Sequence, residues 1–198
     1  MFFIALLLLV SPVAVLPAIA APGDTLAKMR PDFITNTQTV SVDRLRVDGV
    51  VGLCNATSNN PKAGPVVDRL QQDQLDGVQF PKDGFIGDWK RGEKLAQSGK
   101  GMTWTDKPGE AGGNCYNCHQ LSAKELSFGT MGPSLYRYGR LRGYNDEVIR
   151  YTYAKISNSK AFTLCSDMPR FGHSGALNQQ QIKDLVALLL DPTSEVNQ

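Results

Sequence analysis

Apolar residues recur at helical spacing in three stretches of the chain. Trp89, Gly92 and Ala96 share one face of a predicted helix that Asp88 can cap and that runs to about Gln97. The small residues at 92 and 96 predict a close crossing with another helix. Asn145 opens a second helix, with Asp146 and Glu147 in its first turn and Ile149, Tyr153 and Ile156 as an inward stripe. A third begins at Asn178, places Ile182, Leu185, Val186 and Leu189 on one face, and stops before Pro192. These stripes read as core. Residues 21–78 form an N-terminal extension in which Asn59-Asn60-Pro61 makes a turn before a possible helix from Val66 to Leu75. The expected fold is mainly α, with a helical domain over residues 79–198.

Residues 1–20 carry no charged side chain and read as a secretory signal: an apolar run ends at Ala18-Ile19-Ala20, with the mature chain expected to start at Ala21. An uncleaved membrane anchor is the competing reading, although Ser11-Pro12 breaks the run. No later segment is apolar enough to span a bilayer, so no membrane span is expected after cleavage. A periplasmic, oxidising location follows, where disulfides and covalently attached cofactors persist. An apolar fraction of 41% and a charged fraction of 20% exclude a disordered or collagen-like chain. A formal charge of +2 is too small for a polyanion binder, so no nucleic-acid partner is expected.

Chemistry enters with the four cysteines. Cys115-Tyr116-Asn117-Cys118-His119 is Cys-x-x-Cys-His, the attachment motif of c-type haem. Two thiols at this spacing can add to the two vinyl groups on one side of a porphyrin, while the adjacent imidazole turns under the ring to bind iron. A thioredoxin-like dithiol would need a strand before Gly112-Gly113-Asn114, and none is predicted. A zinc site would need a fourth ligand from Cys54, Cys165 or His173 and would leave the Cys-His adjacency unexplained. One covalently bound haem c is the expected cofactor, held by Cys115 and Cys118, with His119 on its iron.

The second axial position has several candidates, and Met168 is favoured. It lies on a loop stiffened by Pro169, between the second and third predicted helices, and Met/His ligation is an established cytochrome arrangement. His173 and an open site are the alternatives. Core filling is the reading for Met102 and Met131. Gly132-Pro133-Ser134-Leu135 is a predicted turn, and a backbone carbonyl within it could accept the Nδ1–H of His119.

This order of helix, haem motif, Gly-Pro turn, helix, Met loop and final helix resembles class I cytochrome c. Finer motifs narrow the resemblance. Gly113-Asn114-Cys115, Cys118-His119-Gln120-Leu121, Gly132-Pro133-Ser134-Leu135 and Tyr138-Gly139 are similar to the SoxX family, the small monohaem subunits of SoxAX thiosulfate-oxidising complexes. So are Cys165-Ser166, Met168-Pro169-Arg170-Phe171-Gly172 and Val186-Ala187-Leu188-Leu189-Leu190-Asp191-Pro192. The resemblance implies a class I cytochrome c fold and a heterodimer with a larger haem-containing SoxA-type subunit. It implies transient contact with a sulfur-carrier protein and a small electron acceptor. Such pairs couple thiosulfate oxidatively to a carrier cysteine, as L-cysteine S-thiosulfotransferase-type complexes. The cysteine that handles sulfur lies on the larger subunit, so no catalytic residue is expected here. A free soluble electron shuttle is the alternative function, and a haem-based ligand binder or sensor a third.

Export makes a Cys54–Cys165 disulfide the expectation, with a free thiol beside the haem or an interchain bridge left open. Such a bridge would tie the extension to the Met168 loop. Arg137, Arg140 and Arg142 are candidates for pairing with haem propionates or partner carboxylates, or are simply solvated.

Overall fold

The computed structural model describes residues 27–28, 47–101 and 111–198, so the signal reading of residues 1–20, Met102 and much of the extension lie outside the described residues. All contacts considered below fall within one compact unit, residues 36–198. Among the described residues there are helices and turns and no strand. The fold is mainly α-helical, as the hydrophobic pattern predicts.

Helix α1 (Gly49–Ala56) is capped by Asp48, whose carboxylate accepts the Val51 N–H. Helix α2 (Pro65–Asp76) starts on a proline, which suits a first turn whose N–H groups lack helical partners. Asp88 caps α3 (Trp89–Gln97) by accepting from Lys90 and Arg91 N–H. A short α4 (Tyr138–Arg142) precedes α5 (Asp146–Ser157), which Asn145 caps. Helix α6 (Gln179–Leu190) opens with a reciprocal cap: the Asn178 side chain accepts the Gln181 N–H, and the Gln181 side chain accepts the Asn178 N–H. The three strong sequence helices thus form within a residue of their expected bounds. Short 3₁₀ turns occupy Cys115–Asn117, Ser159–Ala161 and Glu195–Asn197.

Helix α6 is the centre of the fold. Every residue from Gln181 to Leu190 is buried, including Lys183 and Asp184, so the one-sided stripe read from the sequence understates its burial. The two charges survive burial because each has partners. Lys183 Nζ reaches Asp83 at 3.0 Å, and Asp184 accepts from Arg91 Nε at 2.8 Å, Arg91 Nη2 at 2.9 Å and the Asp88 N–H at 2.8 Å. Burial pushes the Asp184 carboxyl up, but these donors outweigh it and hold the group below its ordinary value. Helix α3 crosses α6 at Gly92, as predicted. A Cβ there would stand 2.1 Å from the Asp184 carbonyl oxygen, so only glycine permits this approach. Tyr153 of α5 is wholly buried, packs edge-on against Phe85 at 5.4 Å, and donates its hydroxyl to Gln79 O.

The extension joins this fold through a second, smaller apolar cluster. Val50 and Cys54 of α1 meet Leu164, flanked by Leu53, Val67, Leu70 and Cys165. A disulfide links Cys54 to Cys165 with Cα atoms 5.5 Å apart. The helix expected at Val66–Leu75 forms as α2, and left-handed Ser58 and Asn59 make the turn before it.

Candidate functional site

The Cys-x-x-Cys-His residues sit on the 3₁₀ turn Cys115–Asn117, which left-handed Asn114 starts. The turn is anchored to the end of α3, since Gly113 N donates to Leu95 O and Asn114 N to Ser98 O. Within it, the Cys118 and His119 N–H groups both donate to Cys115 O, at 3.1 and 2.9 Å. Five residues therefore present two thiols and an imidazole from one tight loop.

The imidazole is fixed by the turn that follows. His119 Nδ1 lies 2.7 Å from Pro133 O. A carbonyl only accepts, so Nδ1 carries the proton and Nε2 keeps its lone pair. That is the tautomer a metal-ligating histidine needs, with the carbonyl strengthening its donation. The turn is itself pinned to the motif: Gly132 N donates to Cys118 O at 2.8 Å and Leu135 N to Gln120 O at 2.7 Å. Position 132 must be glycine, because a Cβ there would lie 2.2 Å from the His119 ring carbon Cε1. The ring rests on bare backbone.

Cys115 and Cys118 are free thiols, whereas Cys54 and Cys165 are bonded to each other. The pairing removes two of the three candidates for the fourth ligand of a zinc site. Burial pushes the Cys115 thiol up to about 12, and the Cys118 and Glu93 charges add to the effect. Reactive redox dithiols work the other way, with a depressed thiolate value. Beside the motif, the Tyr116 hydroxyl donates to Glu93 Oε1 at 2.7 Å, and burial followed by this bond raises the phenol above its ordinary range. No sequence signal singled out that pair.

Met168 is half-buried and packs against the same core as Cys115, Tyr116, Leu135, Ile149 and Phe162. Its backbone is held on both sides: Ser159 Oγ donates to Met168 O at 2.5 Å, and Met168 N donates to Ser166 Oγ at 3.2 Å. Ser159 is fully buried, and its role was not legible in the sequence. His173, the alternative ligand, bonds through its N–H to Ser157 O, and burial followed by the neighbouring Arg170 lowers its imidazole from the ordinary value. Met131 is 83% exposed and so is not the core filler expected of it. It sits on a loop anchored to the motif backbone, where Gly129 N donates to Tyr116 O, and has no core to enter. The arginines diverge: Arg137 stacks over Tyr136 at 4.9 Å, Arg142 over Tyr138 at 5.7 Å, and Arg140 Nη1 donates to Asn197 O.

The donor set fits a covalently attached haem. Two unpaired thiols, an imidazole locked with Nε2 free, and half-buried apolar side chains over the core are what such a group requires.

No family model matches the chain. It is similar to a protein of Aquifex aeolicus (strain VF5) named an uncharacterized lipoprotein, 39% identical over 125 residues. The match covers 61% of this chain and 58% of that protein, so the chain spans somewhat over half of the relative's length.

Proposed function

We propose that this chain is a periplasmic monohaem c-type cytochrome, the electron-transfer subunit of a heterodimeric thiosulfate-oxidising complex of the SoxAX kind. The observation that carries the haem reading is the His119 Nδ1 bond to Pro133 O beside two free thiols. In this reading Cys115 and Cys118 would hold the haem, and His119 and Met168 would bind its iron. The bound haem supplies one-electron redox chemistry, with Met/His ligation raising the potential relative to bis-His. The chain's own residues do the rest. Pro133 O fixes the imidazole tautomer, Gly132 lets the ring lie against backbone, and Ser159 and Ser166 orient the Met168 backbone.

Export has two supports. The Cys54–Cys165 disulfide marks an oxidising compartment, and a relative is named a lipoprotein, a class of exported protein. The chain is exported; the periplasm is our finer reading. Among the described residues no helix is long and apolar enough to cross a membrane. The partner reading rests on the motif resemblance. Leu126, Phe128 and Met131, each exposed in the stretch after the Cys-x-x-Cys-His motif, are apolar side chains such a partner could cover.

Native mass spectrometry of the protein purified from its own host tests this. The expected species is a one-to-one pair of this chain, with one haem, and a larger haem protein. A chain with one haem that stays alone at near-physiological concentration would replace the complex with a free electron shuttle.

A further inference from the structure

Two ties from one helix bracket Met168. Three residues before it, Cys165 is bonded to Cys54 near the end of α1. Two residues after it, Arg170 Nη2 meets Asp48 Oδ2, at the cap of the same helix, at 2.7 Å. Asp48 serves both ends of this arrangement, since its other oxygen accepts the Val51 N–H that starts α1. Arg170 is further fixed by Gln74 of α2, whose Oε1 accepts from its Nη1 at 3.2 Å. The apolar cluster of Val50, Cys54 and Leu164 closes the same seam.

The loop is also tied to the body of the fold: Ser159 Oγ donates to Met168 O, Lys160 Nζ to Leu164 O and Ser166 O, and the Gly172 and His173 N–H groups to Ser157 O. A solvent cleft of about 350 Å³ lies between α1 and the loop, lined by Asn55, Lys160, Met168 and Pro169 among others. The cleft leaves the stretch around Met168 and Pro169 open space on the α1 side once the outer ties are cut.

We propose that α1 is a clamp on the distal side of the site, with Cys54 and Asp48 as positioning residues that set where the Met168 thioether stands. The inference rests on the haem reading above, with Met168 as an axial ligand. It gives the extension a role, because residues 48–56, remote in sequence, then determine how readily an outside ligand displaces Met168. Neither Cys54 nor Asp48 touches the reacting centre. Both act through the 164–172 segment.

The test uses the full-length protein with haem attached, comparing wild type with the double variant Cys54→Ser, Cys165→Ser and with Asp48→Asn. Asparagine keeps a capping oxygen for Val51 and loses only the charge that pairs with Arg170. The readouts are carbon monoxide uptake by the reduced protein and amide exchange at Gly172 and His173, both bonded to Ser157 O. The disulfide variant is expected to retain covalent haem and slow exchange at Gly132. It should take up carbon monoxide, and exchange at Gly172 and His173, about tenfold faster or more, the equivalent of about 1.4 kcal/mol. Asp48→Asn is expected to move both in the same direction by a smaller factor, and it decides the matter if the double variant does not fold. Unchanged uptake and exchange in variants that keep their haem would overturn the clamp and leave the haem reading standing. A wild type without covalent haem would instead remove the haem reading, and faster exchange at Gly172 alone would no longer support a ligand clamp.

Discussion

The two sides of the candidate site are built in opposite ways. On the His119 side the restraints on the imidazole are local: it bonds to a carbonyl 14 residues away, and the turn folds back on the motif through Cys118 O and Gln120 O. On the Met168 side the outer restraints come from far along the chain, through a disulfide of sequence separation 111 and an ion pair to Asp48. Local restraints form with little loop-closure entropy, whereas distant ones must be stapled. On the haem reading proposed above, a site made this way should tolerate losing its distal ties with haem still attached, but should not survive changes to the motif.

That contrast can be broken from the proximal end first. Replacing Cys115 and Cys118 together by serine is expected to abolish covalent haem, read as the bare chain mass after denaturation. The distal staple comes next in size. Removing the Cys54–Cys165 bridge releases a long loop, worth on the order of 4–5 kcal/mol in the chain-entropy model. For a chain of this size that is a fall of roughly 10–20 °C in melting temperature, with haem retained. A melting temperature within a few degrees of wild type would show that the apolar seam, not the bridge, holds α1.

Smaller effects sharpen the picture. Gly132→Ala puts a methyl group against the His119 ring, and Gly92→Ala puts one against Asp184 O. Each should cost on the order of 1–3 kcal/mol as overpacking, but only the first should alter the haem spectrum. Equal spectral change from both would mean that the ring's seat is not special. The smallest effect is electrostatic. The Asp48 carboxyl is pushed up by burial but held below its ordinary value by the Val51 N–H and by Arg170. Its contribution is therefore complete above the unfolded value of 3.8 and is lost as pH falls through the lower folded value. Partly exposed pairs of this kind contribute below about 1 kcal/mol. Acid titration of wild type against Asp48→Asn should converge below that window, and curves that stay parallel would deny the pair any role.

The same division between local and distant explains what the sequence could tell. Asp88, Asn145 and Asn178 announce their helices because caps and stripes are properties of adjacent residues. The Cys-x-x-Cys-His loop and the Gly-Pro turn, with its carbonyl for His119, were legible for the same reason. The Cys54–Cys165 link could be expected only by counting cysteines in an exported chain. The roles of Asp48, Ser159 and Gln74 were not legible at all, since each depends on a contact between segments that nothing local specifies. Helix α6 shows the limit from another side: Lys183 and Asp184 look like a solvated face until Asp83 and Arg91 are brought to them. Helix α4 was missed because five residues are too few to establish a period. Met131 was misassigned because a lone methionine does not reveal which side of a loop it occupies.

The haem proposal requires Cys115 and Cys118 to be thioether attachment points and not free or metal-bound thiols. Its most direct test is the intact mass of the wild-type chain under denaturing conditions, after export in a host that attaches haem c. The predicted result is a chain one haem heavier than its residues and one disulfide, with no thiol left to alkylate. A bare mass with two alkylatable cysteines would contradict it.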